Sequence, residues 1–145
     1  DRQFSVNAKG VYFGVQKMAP LLRDRGSIIL TGSIASERYL EGHSVYAGSK
    51  AALNAFARAW SIELRARAIR VNVLSPGPVD TPIISKLGVA DHAQPAFKRR
   101  GAESIPLGRL GTPEELARAA LFLATSDSSF ITGVNLRVDG GMAVI

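Results

Sequence analysis

The 145-residue sequence contains no cysteine. That absence excludes a disulfide framework, thiolate metal sites and a cysteine nucleophile, and it agrees with a cytoplasmic location. No apolar run approaches the roughly 18 residues of a membrane span, so no membrane partner is expected. Lys and Arg number 18 against 12 Asp and Glu, giving a net charge of +6, but the basic residues are scattered. Their one cluster, Lys98-Arg99-Arg100, has only Phe97 as an aromatic neighbour. Solvated faces explain it better than a nucleic-acid surface, and no nucleic-acid partner is expected.

What is present reads as one unit over residues 1–145, with 46% apolar residues to form a core. Phe4, Ala8, Val11, Val15, Met18, Ala19 and Leu22 recur at helical steps, so Asp1 to Leu22 reads as helix interior. Ser27 to Gly32 is a short apolar run bounded by glycine, a buried strand. Val45 to Arg67 is again helical, Ile69 to Leu74 is a second strand, and Ser75-Pro76-Gly77 stops it. Asp80 to Pro106 reads as an excursion loop with short helical pieces. Thr112-Pro113-Glu114-Glu115 carries a cap, a first-turn proline and a capping-box glutamate. A third strand runs from Val134 to Val138. Strands separated by helices of this length predict an α/β fold with parallel pairing and right-handed crossovers. Ligands of such sheets lie beyond the carboxyl ends of the strands.

Tyr46 and Lys50 stand one helical turn apart on one face. Alone the pair is weak evidence. Its company is stronger: Ser33 at the exit of the first strand, Asn7 in the first helix, and Pro76-Gly77-Pro78-Val79-Asp80-Thr81 after the second strand. All are hydrogen-bonding groups or turns suited to handling a carbonyl and an amide. A Ser33/His43/Asp80 hydrolase triad is disfavoured, because Gly32-Ser33-Ile34-Ala35 lacks the second glycine of a nucleophile elbow. Mid-strand Asn72 reads as structural, Phe56 and Trp60 as core or interface, and Asp139-Gly140-Gly141 as a closing turn rather than a metal site.

In these residues the sequence resembles the short-chain dehydrogenases/reductases. The likeness is carried by Val6-Asn7-Ala8-Lys9-Gly10, Leu30-Thr31-Gly32-Ser33, Tyr46-Ala47-Gly48-Ser49-Lys50, Arg70 to Gly77 with Thr81, Arg109 to Glu115, and Val138-Asp139-Gly140-Gly141. It implies the C-terminal part of a Rossmann-like doubly wound parallel sheet and an NAD(P)-dependent interconversion of an alcohol and a carbonyl. Within the family the chain looks most like the 3-oxoacyl-carrier-protein reductase and sugar-alcohol dehydrogenase type. By position, Tyr46 would be the general acid/base and Lys50 its electrostatic partner and a ligand of the nicotinamide ribose. Ser33 would hold the substrate oxygen, and Asn7 a water linking Lys50 to solvent. Pro76, Gly77, Val79 and Thr81 would meet the nicotinamide end of NAD or NADP. The 80–106 excursion would form a substrate lid, and the helices over residues 4–22 and 45–67 a homo-oligomer contact. Lowering a phenol pKa by ~3 units requires ~4 kcal/mol. A lysine ~5 Å away supplies about 3 kcal/mol at an effective dielectric of ~20, so an oxidised nicotinamide ring would complete the shift.

In family terms the chain starts partway along the helix that carries Asn7. A glycine-rich strand-to-helix turn for the pyrophosphate is missing, since Gly108/Gly111 and Gly140/Gly141 do not form one. Two expectations compete: the recorded part of a longer enzyme, which is favoured, or a truncated, non-catalytic product that acts only through helix-mediated association.

Overall fold

The three expected strands form as β1 (Ser27–Thr31), β2 (Arg70–Pro76) and β3 (Asn135–Val138). The computed structural model describes residues 2–39, 41–86 and 88–145. Asp1 of the expected opening helix and residue 87 of the 80–106 excursion lie outside the described residues. The strands form one parallel sheet in the order β1-β2-β3, with Ser27 opposite Arg70 and Val73 opposite Asn135.

The helices are α1 (Val11–Met18), α2 (Ser44–Glu63), α3 (Gln94–Glu103) and α4 (Pro113–Ala124). Val71 and Val73 point to one face of β2, where they pack with Leu53, Ala57 and Trp60 of α2 and with Leu30. The intervening residues face the other way. Arg70 and its register partner Ser27 both donate from that side to the carbonyl of Leu123 in α4, at 2.9 and 2.8 Å. Thus α2 and α4 cover opposite faces, the doubly wound arrangement. Both crossovers advance the sheet in the same direction, so they have opposite hands. The expectation that both are right-handed is corrected here. The long excursion between β2 and α4 supplies enough chain to return on either face, which relaxes the preference that acts on short, direct crossovers.

The opening helix is also not continuous. A turn over Arg2–Phe4 leads into a π segment at Ser5–Gly10, then α1, then a 3-10 turn at Ala19–Leu21. Of its expected core residues Ala8 is buried and Val11 and Val15 pack against the α2 core, while Met18 is 56% exposed. The segment lies beside α2 rather than on the sheet, with Tyr12, Phe56 and Trp60 clustered at centroid distances of 5.3–5.7 Å. Arg67 ties its end to the turn after α2, donating to the carbonyls of Ala19 and Leu22 and pairing with Asp24. The guanidinium thus caps the end of this segment, adding to the bond that the Leu22 N–H gives the Ala19 carbonyl. Among the described residues no helix is long and apolar enough to cross a membrane.

Two sequence features do structural work as expected. Asn72 is fully buried, donating to the carbonyl of Ile131 at 3.0 Å and accepting from the N–H of Val134 at 3.2 Å. Thr112 and Glu115 form the capping box of α4, and Arg109 grips the Glu115 carboxylate with both terminal nitrogens at 2.9 and 2.6 Å. That hydrogen bond, then the one from the Thr112 N–H, holds the Glu115 carboxyl at about 2, below the usual 4.5.

Asn72→Leu leaves the Ile131 carbonyl and the Val134 N–H without their side-chain partner and is expected to destabilise the fold by about 1–3 kcal/mol, read by chemical denaturation. Glu115 contributes stability above pH 4.5, and that contribution disappears as pH falls towards 2. Glu115→Gln therefore lowers Tm at neutral pH, and the difference from the parent closes on acidification in a pH series of thermal melts.

Candidate functional site

The three strands deliver their carboxyl ends to one edge. Two backbone bonds prolong the ladders past the strands: Gly32 N–H to the Leu74 carbonyl at 2.8 Å and Gly77 N–H to the Val138 carbonyl at 3.0 Å. Both glycines are required by close approach. A Cβ on Gly32 would lie 2.5 Å from Val73 Cγ1, and one on Gly77 2.6 Å from Asp139 Cβ. Ser33 and the Pro76-Gly77 turn therefore leave the sheet at fixed points.

Ser33 caps the short 3-10 turn Ile34–Ser36, its Oγ accepting from the N–H of Ala35 at 3.1 Å. That bond occupies a lone pair and leaves the hydroxyl proton free to donate elsewhere. Tyr46 stands in the first turn of α2, where the helix dipole places partial positive charge. Ser33 and Tyr46 line one cavity of about 240 Å³ together with Pro76 and Gly77. Val79 and Thr81 line an adjoining cavity of about 640 Å³ that shares the Pro76–Pro78 wall and Met142. The loop bearing Val79 is pinned by a bridge to Gly111, and Asp80 is ion-paired to Lys98 of α3 at 2.7 Å. The excursion thus covers the larger cavity through Phe97 and Ile83.

Lys50 lies behind Tyr46, its Nζ 5.9 Å from the ring centroid and donating to the Thr31 carbonyl at 2.9 Å. Partial burial lowers its pKa below the ordinary lysine value. Asn7 sits in the π segment and donates Nδ2 to Ser49 Oγ at 3.2 Å, next to Lys50 in the chain. Among the described residues Asn7 and Lys50 share no direct hydrogen bond. The edge therefore brings together Ser33, Tyr46, Pro76 and Gly77 around one cavity and Val79 and Thr81 around its neighbour, with Lys50 and Asn7 as supports from behind.

The hydrolase constellation does not form. His43 Nδ1 faces the Glu41 carbonyl at 2.9 Å, and Asp80 is engaged by Lys98. Sequence reasoning missed Arg38 and Met142, both of which line the smaller cavity, and it left His43 aside. Met142 is placed by Asp139, whose carboxylate accepts from the N–H groups of Gly141 and Ala143. The acidic residue before two glycines was the available signal.

A family model described as enoyl-(acyl carrier protein) reductase matches residues 1–143. The 3-oxoacyl-[acyl-carrier-protein] reductase FabG of Thermotoga maritima is 40% identical over 147 residues, covering 99% of this chain and 57% of that protein. The structure of a short-chain dehydrogenase/reductase from Serratia marcescens superposes with TM-score 0.88 at 35% identity, over 99% of this chain and 56% of that one. The angucycline C-6 ketoreductase LanV, solved with bound NADP, superposes with TM-score 0.86 at 29% identity, over 98% and 53% respectively. The chain spans about half the length of the proteins it matches.

Gly32→Ala is expected to push Ser33 out of line with Tyr46, because neither Val73 nor Ser75 can withdraw from the sheet interior. A crystal structure of the variant, or a fall in Tm, checks this directly.

Proposed function

The chain belongs to the short-chain dehydrogenase/reductase family, and from that premise we propose that it forms the catalytic part of an NAD(P)-dependent oxidoreductase interconverting an alcohol and a carbonyl. The observation that carries this reading is the joint presentation of Ser33 and Tyr46 to one cavity, with the Lys50 ammonium over the Tyr46 ring.

The residues present fit the nicotinamide end of the dinucleotide. Lys50 has three donors and spends one on Thr31, leaving two for ribose hydroxyls. Thr81 and the backbone of Pro76 to Val79 border a cavity large enough for the ring and its carboxamide. When bound, the nicotinamide supplies the hydride in reduction and accepts it in oxidation. Tyr46 donates its phenolic proton to the substrate oxygen during reduction and takes it back during oxidation. Ser33 donates its free hydroxyl proton in a hydrogen bond to the same oxygen as negative charge grows there. Lys50 and the α2 N-terminus both place positive potential beside the oxygen that gives up its proton. Asn7 keeps its Oδ1 as an acceptor after donating to Ser49, which suits it to hold a water on the proton path.

The second reading, association without catalysis, draws on the exposed apolar side chains of the opening segment and α2. Val6 is 63% exposed, Phe13 45% and Ile62 59%. They suit contact with another copy of the chain and are compatible with catalysis.

In the protein at its natural length, Tyr46→Phe is expected to lower kcat by about 10²–10⁴-fold, followed as absorbance of the reduced nicotinamide across alcohols and ketones. Retained turnover removes Tyr46 from the mechanism. Lys50→Met removes the cation over the Tyr46 ring and the donors facing the dinucleotide, so kcat falls and the dinucleotide KM rises.

A further inference from the structure

The cavity shared by Ser33 and Tyr46 also takes the side chain of Arg38. Its remaining lining is largely apolar, through Ile34, Ala35 and Met142, and it includes no carboxylate. Arg38 is half-buried. Among the described residues it forms no ion pair, although acidic groups stand close to it in the chain and at the same edge. Glu37 is drawn away to Asn135 and Arg137 at 2.8 and 3.2 Å, Asp80 to Lys98, and Asp139 to backbone N–H groups. His43, the other polar group at the rim, donates Nδ1–H to the Glu41 carbonyl, which leaves Nε2 as an acceptor in the neutral ring. The guanidinium is thus the fixed charge of the cavity, shaped as a fork that matches a carboxylate.

We propose that Arg38 is a specificity-determining residue and that the substrate carries a carboxylate: a short oxo acid and the corresponding hydroxy acid. The proposal rests on the oxidoreductase reading above. Arg38 holds the carboxylate while the carbonyl oxygen meets Ser33 and Tyr46. A cavity of about 240 Å³ suits a substrate end of a few carbons. The reaction balances as reduction of the ketone: its carbon gains a hydride from the reduced dinucleotide, and its oxygen gains the Tyr46 proton. The hydroxy acid and oxidised dinucleotide are released, and Tyr46 is reprotonated from water.

The test compares 2-oxobutyrate and 3-oxobutyrate with their methyl esters in the protein at its natural length, with both dinucleotides. The parent is expected to prefer an acid to its ester in kcat/KM. Arg38→Gln should lower that acid-to-ester ratio about 10–100-fold, mainly through KM, as expected on losing a charge-assisted bidentate pair. Arg38→Lys, which keeps the charge without the fork, should fall between the two. Butyrate should inhibit competitively and bind by calorimetry in the parent, with butyramide inert. A parent that prefers the ester overturns the proposal and leaves the oxidoreductase reading intact. So does an equal loss on acid and ester in Arg38→Gln, which assigns a structural role, or a rise confined to the dinucleotide KM, which assigns Arg38 to the cofactor. Absence of turnover with every ketone and both dinucleotides overturns the oxidoreductase reading itself. In that event Arg38-dependent butyrate binding would preserve the anion site, and its absence would remove that as well.

Discussion

The hydrogen-bond ladder through β2 is the constraint on which the rest depends. Five consecutive residues of this strand, Val71 to Ser75, are buried, and it is paired on both edges. Its ladders do not stop where the strands stop: Gly32 and Gly77 each add one more bond. The exits of β1 and β2 are therefore set in one hydrogen-bonded frame, although Ser33 and Gly77 are far apart in sequence. Catalytic geometry tolerates displacements of well under 1 Å, and a backbone frame enforces this better than side-chain packing alone. The absence of room for a Cβ at either glycine is the steric counterpart of that frame.

One arrangement of Lys50 produces two electrostatic effects. Its ammonium is tucked against the Thr31 carbonyl and withdrawn from part of its hydration, which lowers its own pKa. The same arrangement holds the charge over the Tyr46 ring, 5.9 Å from its centroid. The α2 N-terminus adds potential of the same sign at the same ring. Asn7 reaches this cluster because the π segment changes the turn at that point and presents its amide to Ser49. π segments inside α-helices occur often at functional sites for this reason.

The fold was legible where local chemistry decides it. The strand at Ser27 follows from a glycine-bounded apolar run, that at Arg70 from Ile69 to Leu74 with its Ser75-Pro76-Gly77 stop, and the α4 start from Thr112, Pro113 and Glu115. The edge that gathers Ser33, Tyr46, Pro76 and Gly77 follows from parallel topology. What escaped depends on longer-range packing. The π segment leaves no mark on apolar periodicity, since one added residue is lost in the scatter of helical spacing. The hand of the second crossover is settled by the route of a 36-residue connection between β2 and α4, not by a local preference. The exposure of Met18 reflects a helix that packs on a helix, so a narrower stripe is covered than amphipathicity suggested. Arg38 carried no motif at all.

The contrast between Arg38 and four arginines that tie the fold together bears on how the proposed selectivity would arise. Arg67 and Arg70 spend their donors on backbone carbonyls, and Arg109 and Arg137 on glutamates. Each holds two parts of the chain together, and each has its charge or its donors satisfied. Arg38 stands in an apolar-walled cavity with its donors uncommitted among the described residues, which costs solvation in the free protein. A neutral ester recovers little of that cost, since it offers no charge and one weaker acceptor. A carboxylate recovers it through two parallel charged hydrogen bonds. Discrimination then comes as much from leaving the guanidinium unpaired with the wrong substrate as from pairing it with the right one.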